Sequence, residues 1–386
     1  IVSMADYAAT WQTTNVTVSP NGSDKIGGLN DDVTLNTEGQ SVTFVYADST
    51  QGWLNTMDST SNVRATVNMV ATGGNSITTD GNYKAHIFTG PGTFTVCSVS
   101  PVGPNNALDY LIVGGGGGGG KILAGAGGAG GFRQSPGTAT GSYTVSPLGV
   151  APAAAFTAVV QGYPIAVGGG GPQATIGSVS TFNGLTAAGG GGGISGPGTQ
   201  PAGGPGGSGG GANGYSPTGV SGGTGNTPPV TPPQGNDGGG GGGAPPGYPG
   251  GGGGGATAVG GSSASSAECG QNGGDGGQTN ICGTLYFYSG GGGGAGYTPA
   301  WNGGDGGNGG GGGGGTDVPG CGGAGGPGRN TGGAGTASPE PAGPSAGGNG
   351  GDNTGGGGGG GAWGNTLCNG GTGGSGVVII RYKYAN

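Results

Sequence analysis

The chain has 386 residues, of which 118 are glycine and only 6% are charged, and its net charge is −8. So sparse and negative a charge argues against nucleic acids and anionic membrane surfaces as partners. No stretch reaches the roughly 18 apolar residues of a membrane span, so we expect a protein that is not inserted in a membrane. The start, Ile1-Val2-Ser3-Met4, is neither an initiator methionine nor a signal peptide, which predicts a product processed from a longer chain.

Residues 1–72 have the pattern of ordinary β-structure. Val42, Phe44 and Tyr46 lie at every second position, which is the period of a half-buried strand. Asn21-Gly22 is a turn signal in the same region. We therefore predict an N-terminal β module, 1–72.

A second β region begins after residue 73. Tyr83–Phe88 and Thr93–Cys97 flank Thr89-Gly90-Pro91-Gly92, a turn sequence that predicts a hairpin. The apolar strand Leu108–Val113 runs directly into seven glycines, and the chain closes on a second buried-strand pattern, Val377–Tyr382. We predict that the closing strand lies beside Leu108–Val113, in one sheet at the base of a glycine-rich domain, 73–386. The basal strands are expected near 83–113, 142–188 and 377–382.

The glycines are gathered into pure runs such as Gly114–Gly120, Gly309–Gly315 and Gly355–Gly361. Flexible linkers are one interpretation, but linkers do not fill half a chain, and the strict three-residue glycine period of collagen is absent. A polyproline II helix has no internal hydrogen bonds, so buried segments must bond to neighbours, and glycine alone lets backbones approach from every side. The predicted fold class is all-β plus polyproline II, with the bundle mainly over 189–376 and variable connecting loops, among them the Pro-, Ser-, Thr- and Asn-rich stretch 316–346.

Residues that carry chemistry are few. The five cysteines include no Cys-x-x-Cys pair and the one histidine is His86, so we predict no metal, no cofactor and no enzymatic activity. Cys269 and Cys282 flank one segment between runs and are a candidate disulfide; the alternative is two reduced, packed thiols. Asn272-Gly-Gly-Asp275 and Asn302-Gly-Gly-Asp305 are similar to calcium-binding repeats, but their period is not sustained, which favours turn-forming residues.

Two stretches resemble bacteriophage tail-fibre proteins. Residues 24–60, with Lys25-Ile26-Gly27-Gly28 and Gly52-Trp53-Leu54, resemble a small β module common in these fibres. Residues 74–382 resemble the glycine-rich domain found at fibre ends, and the match rests on Asp109–Val113 with its glycine run, Gly130-Gly131-Phe132-Arg133 and the closing Gly374–Tyr382.

The tail-tip adhesins of T-even-like phages are similar in principle. In that family, glycine-rich polyproline II helices stack into layers, and the loops between them contact the host receptor. The resemblance implies an extracellular virion protein of the tail fibre, a homotrimer in contact with other tail-fibre proteins. It also implies that the N-terminal β module, 1–72, serves fibre attachment or trimerisation. It also implies a receptor on the host cell, either a surface glycan or an outer-membrane protein.

Five aromatic residues between the runs are candidate receptor contacts: Tyr215, Tyr248, Tyr297, Trp301 and Trp363. Exposed rings supply contact area at low entropy cost, and we expect the two tryptophans to be the anchors. The alternative is that the rings cap the ends of the bundle as a local core. For the whole protein, the alternatives to an adhesin are a decoration fibre or a filament subunit; ice binding is disfavoured because irregular Pro-rich segments spoil a flat face.

Overall fold

The computed structural model describes residues 1–59, 68–100, 102–196, 203–215, 220–243, 247–264, 269–297, 301–317, 321–337, 345–363 and 368–385. Over these residues the fold is nearly all β, as predicted, with one short 3-10 turn at Gly103–Asn106. None of the described residues belongs to a helix with the length and apolar character needed to span a membrane. The chain divides into two units, Ile1–Thr66 and Val67–Asn386.

In its described residues, 1–59, the first unit contains five strands: β1 (Val2–Ala5), β2 (Val16–Val18), β3 (Val33–Leu35), β4 (Ser41–Asp48) and β5 (Gly52–Ser59). An antiparallel sheet has the order β1-β4-β5, and β2 pairs with β3 as a separate ribbon. The predicted alternation places Val42 and Phe44 of β4 in a small core with Leu35. Trp53 of β5 packs against this core and is half-buried.

The second unit contains thirteen strands in its described residues: β6 (Val70–Thr72), β7 (Ser76–Asp80), β8 (Tyr83–Phe88), β9 (Gly92–Ser98), β10 (Ala107–Val113), β11 (Phe132–Gln134), β12 (Phe156–Thr157), β13 (Gly162–Ala166), β14 (Ser180–Phe182), β15 (Leu185–Ala187), β16 (Gly277–Thr279), β17 (Tyr286–Tyr288) and β18 (Val377–Lys383). One sheet has the order β11-β10-β18-β8-β7, with β12 also pairing with β10, and a second has the order β15-β14-β13-β9-β6. Because β6 pairs with β9, the unit begins six residues before the boundary predicted at residue 72.

The closing strand lies where the sequence predicts it. β18 pairs antiparallel with β10, with Val377 opposite Val113 and Arg381 opposite Asp109. Two other predictions differ from the structure. The base is two packed sheets plus the β16–β17 ribbon instead of one sheet, and β8 and β9 lie in different sheets instead of forming a hairpin. The hairpin prediction is wrong because both edges of β8 are occupied, by β7 and by β18.

β18 is buried on both faces. Val378, Ile380 and Tyr382 pack between the two sheets with the aromatic side chains of the second sheet. Val377 and Ile379 point to the opposite side and join a second core with Phe132, Ile281 and Tyr288. A continuous apolar run is the pattern expected of such a strand, and here the two cores connect the base to the glycine-rich part of the unit.

Backbone hydrogen bonds between segments hold together residues 114–131 and the described non-strand residues of 168–376, which we call the glycine body. The N–H groups of Gly114–Gly120 donate in rotation to three neighbours, at residues 125–131, 175–178 and 371–374, with N···O distances of 2.8–3.0 Å. The predicted cross-run bonding is therefore confirmed. The partner changes with a period of three residues, and this supports the predicted polyproline II conformation, which has about three residues per turn.

The centre of the body is Ala124–Gly131, a segment that the pure glycine runs did not reveal because it contains three alanines. It donates hydrogen bonds to residues 188–194, 251–254 and 355–361 and accepts them from 114–120, 208–211 and 292–295. The central segment thus has six neighbouring segments, which is the arrangement of hexagonally packed extended chains. The bonded array thus begins well before 189–376, and segments predicted as loops, such as 321–327 and 331–337, are also part of it.

At one outer face, where no further segment of the described residues lies alongside, side-chain oxygens accept the hydrogen bonds of the backbone N–H groups. The N–H of Asp305 donates to Asn272 Oδ1 at 2.8 Å, and the N–H of Ala324 donates to Asp305 Oδ1 at 2.7 Å. Asp275 and Asn302 accept in the same way from the chain beside them. The expectation of turns at Asn272–Asp275 and Asn302–Asp305 is wrong, because these residues lie in extended segments and satisfy outward N–H groups at every third position.

Candidate receptor-binding surface

Four of the five candidate aromatic residues meet in one continuous row. The ring centroids of Tyr215 and Tyr248 are 5.7 Å apart, those of Tyr248 and Tyr297 are 5.9 Å apart, and those of Tyr297 and Trp363 are 6.4 Å apart. All three separations lie in the range of favourable aromatic pairs. We call these four residues the aromatic arc; they come from segments separated by up to 148 positions in the sequence.

Backbone bonding around the central segment brings the arc together. The N–H of Gly214 donates to the Leu123 carbonyl, and the N–H of Ala295 donates to the Ala124 carbonyl. The Ala124 N–H in turn donates to the carbonyl of Gly361. Each outer partner lies one or two residues before a ring of the arc, so the hexagonal packing places the rings side by side around the end of Ala124–Gly131.

This end of the body is the one opposite the sheets. Gly114 directly follows β10, and the run Gly114–Gly120 leads away from it before the chain turns back at Ile122 and Leu123, both of which have positive φ. Gly120 and Gly125 are hydrogen bonded across this reversal at 3.0 Å. The arc therefore lies a full seven-residue run away from the base. We call the end of the body that carries the arc the distal end.

The arc combines packing with exposure. Tyr215 and Trp363, at its two ends, are 44% and 38% exposed, whereas Tyr248 and Tyr297 between them are half-buried. Tyr248 has a φ of 43°, a left-handed conformation that is rare for residues other than glycine. Its carbonyl lies against Gly214, where any Cβ would overlap it. The outer rings thus present accessible faces, and the inner rings hold them in place.

Trp301 is placed differently from the other four. Its side chain is half-buried, and its carbonyl accepts a hydrogen bond from Thr316 Oγ1 at 3.1 Å. Among the described residues its ring has no partner within the aromatic arc. The two tryptophans predicted as anchors are therefore not equivalent, and only Trp363 belongs to the arc.

Polar residues that the sequence reasoning missed lie beside Tyr215. The Lys121 N–H donates to Ser195 Oγ at 3.0 Å, and Asn213 Nδ2 donates to the Ser195 carbonyl at 3.2 Å. The Tyr215 N–H donates to Asn213 Oδ1, also at 3.2 Å. An asparagine two positions before the aromatic residue is a local turn signal, but its connection to Lys121 and Ser195 depends on the packing of distant segments.

The other chemistry-bearing residues have structural surroundings. Cys269 and Cys282 are both free thiols, so the candidate disulfide is absent. The alternative of two reduced, packed thiols fits Cys282, which is buried in the core beside β17, but not Cys269, which is exposed. His86 is buried, with Nδ1 2.6 Å from the Gly73 carbonyl and Nε2 3.3 Å from the Tyr382 hydroxyl. Burial lowers the pKa of His86 below its usual value. No cluster of three metal-ligating side chains occurs within the described ranges.

Comparison with protein-family models and with curated proteins finds no match to this chain. Several connecting segments predicted to carry receptor contacts, namely 197–202, 216–219, 244–246, 265–268, 298–300, 318–320, 338–344 and 364–367, lie outside the described residues.

Proposed function

We propose that this protein is a phage tail-fibre adhesin that binds a host-cell surface receptor, a glycan or an outer-membrane protein, through the aromatic arc. The observation that carries the proposal is the collection of four rings from four distant segments at the end of the body opposite its base. The rings contribute nothing to the backbone bonding of the glycine segments, whose closest contacts are between main-chain atoms. Their concentration at one end therefore fits recognition better than stability.

The body beneath the arc suits this role because it is preorganised. Each interior segment is bonded to its neighbours along its whole length, so a ring at its end is presented from a fixed position. A binding surface that is ordered before it meets its target loses less conformational entropy on association. Tyrosine and tryptophan add large contact areas with few rotatable bonds.

In this proposal, the polar residues beside Tyr215 supply hydrogen-bonding groups at the edge of the arc. Lys121 is exposed there, and its ammonium group forms no ion pair with any described acidic residue. The first unit would connect the adhesin to other tail-fibre proteins in an extracellular virion, and the assembly would be a homotrimer. No catalytic activity, cofactor or nucleic acid is part of the proposed function.

Replacing the outer rings tests the arc. We expect Tyr215→Ala with Trp363→Ala to weaken binding to cells of a susceptible strain, identified by screening a bacterial panel with the labelled protein, by at least about tenfold, as for interface hot spots. The melting temperature should change by no more than a few degrees, because both rings are more than one-third exposed. Tyr7→Ala is the matched control, since Tyr7 is 98% exposed and lies in the first unit.

The alternative, a receptor-free structural fibre, gives the opposite result. If the rings serve only to cap the body, the double variant lowers the melting temperature by clearly more than a few degrees, because it removes packing from the inner rings, and cell binding per folded molecule is unchanged. Trp301→Ala is tested separately, because Trp301 lies outside the arc. A light-scattering mass of three chains would support the trimer, and a monomer or dimer would contradict it.

A further inference from the structure

The first unit contains a pocket that the adhesin function does not use. Its volume is about 330 Å³, and it lies between the strands β1 and β2, with Val2, Met4 and Val18 on its sides. Phe44 and Trp53 line it from the sheet. Ligand pockets in proteins have this size and this mainly apolar lining, with a small number of polar groups that fix orientation.

One polar group stands out at the rim. Asp24 lines the pocket and is half-buried, and its carboxylate has no hydrogen-bond or ion-pair partner among the described residues. The unit as a whole carries charge of the same sign, because residues 1–66 contain seven acidic and two basic residues, one of them Lys25 next to Asp24 in the sequence, for a net charge of −5. An apolar pocket with a free carboxylate in an acidic unit is complementary to an apolar group that carries a positive charge beside it.

The backbone next to the pocket is open as well. β1 is the edge strand of the β1-β4-β5 sheet, and β2 pairs with β3 alone, so each has one side without a strand neighbour in the described residues. Val2 is 44% exposed on β1. An edge strand of this kind accepts an additional extended segment through main-chain hydrogen bonds, while alternate side chains of that segment enter nearby pockets.

We propose that the free edge of β1 binds an extended, basic segment of a partner protein. One apolar side chain of that segment fills the pocket formed by Val2, Met4, Val18, Phe44 and Trp53. A flanking arginine or lysine of the same segment pairs with Asp24. The site is on the first unit and separate from the aromatic arc, so it is an attachment surface for another protein and not a part of receptor binding.

The test is a titration of the full chain with a fluorescently labelled nonapeptide of alternating arginine and leucine, followed by anisotropy. Asp24→Asn should weaken binding about two- to fivefold, as expected for a partly exposed ion pair. Asp32→Asn is the matched control: it removes the same charge from an exposed position that does not line the pocket, and should leave the affinity unchanged. A peptide with glycine in place of leucine should bind about tenfold more weakly, because it has no side chain to bury.

Several results would overturn the proposal. Equal weakening by Asp24→Asn and Asp32→Asn, or equal binding of the arginine–glycine peptide, would reduce the interaction to nonspecific charge attraction. Binding of an alternating glutamate–leucine peptide with the same affinity would remove the role of Asp24. If the chain self-associates through β1 and the peptide does not compete, the edge is covered by a second copy. Hydrogen exchange provides the location: we expect slower amide exchange in β1 when the basic peptide is bound, and no change in the distal end.

Discussion

The base and the glycine body of the second unit reach the same degree of burial by different physical means. Val377–Ile380 of β18 are fully buried among aromatic and aliphatic side chains. Gly114–Gly120 are buried as well, but their neighbours are main-chain atoms. The base is stabilised by apolar area, at about 25 cal/mol per Å², and the body by many backbone hydrogen bonds, each worth only about 0.5–1.5 kcal/mol net. The body therefore requires that side chains be absent wherever its segments contact one another.

This difference predicts that the body is far more sensitive to an added methyl group than the base is to a lost one. At Gly312 an added Cβ would overlap the Gly348 carbonyl, whereas at Gly169 it would meet nothing within 4 Å. We expect Gly312→Ala to lower the free energy of unfolding by about 3 kcal/mol or more, since backbone atoms have no rotamer to give way. Gly169→Ala, the matched control, should change it by less than about 1 kcal/mol. Urea unfolding measures both, and equal stabilities would contradict a close-packed body.

In the base, the corresponding change is a truncation. Ile380 is fully buried between the two sheets. We expect Ile380→Ala to lower the free energy of unfolding by about 2–5 kcal/mol and Ile380→Val by only about 0.5–1.5 kcal/mol. A loss of unfolding free energy that grows with the number of atoms removed, measured by thermal or urea unfolding, indicates stabilisation by side-chain packing. If Ile380→Val lowered the free energy of unfolding as much as Gly312→Ala, the base and the body would not differ in their sensitivity to a single methyl group.

The edge of the body should respond to the loss of a side-chain acceptor. Asp305 Oδ1 accepts the Ala324 N–H at 2.7 Å. We expect Asp305→Ala to lower the free energy of unfolding by about 0.5–2 kcal/mol, by analogy with the loss of a helix cap. Asp305→Asn keeps a carbonyl oxygen at the same place and should retain most of the stability. A result in which both variants behave alike would show that hydrogen bonding at this edge is not what matters.

The smallest expected effect is a pH dependence in the base. Burial lowers the pKa of His86, and its ring lies against the Gly73 carbonyl and the Tyr382 hydroxyl. Below about pH 6.5 the unfolded imidazole binds a proton that the buried one does not, so stability falls as the pH falls towards the folded pKa. The slope is at most about 1.4 kcal/mol per pH unit. Urea unfolding between pH 7.5 and 5.5 measures it, and His86→Gln should flatten the curve in that window.

Local patterns predicted the elements better than their partners. The apolar run at Val377–Tyr382 was sufficient to predict a buried strand beside Leu108–Val113, and β18 pairs with β10 in the structure. The turn at Thr89–Gly92 is a chain reversal whose flanking strands join different sheets. Turn chemistry decides where a chain can bend, but strand pairing depends on which edges are already occupied, and the sequence near the turn contains no information about that.

The candidate site was predictable in composition and not in arrangement. Aromatic residues between the runs stood out because so little else there has a large side chain. Their assembly into an arc depends on Ala124–Gly131, whose six neighbours come from segments far apart in the chain. The separation of Trp301 from the arc and the grouping of Lys121, Ser195 and Asn213 beside Tyr215 follow from the same packing.

The sequence alone determined that the chain folds as strands and bonded glycine segments, because residue type decides which backbones can approach and which side chains must be buried. It also determined the closing strand and the set of aromatic candidates. The tertiary structure decided the order of the sheets, the central position of Ala124–Gly131 and the neighbours of each ring. Successive glycines are chemically identical and specify no register of their own, so the strands and the connections at either end of the runs had to fix which segment lies beside which.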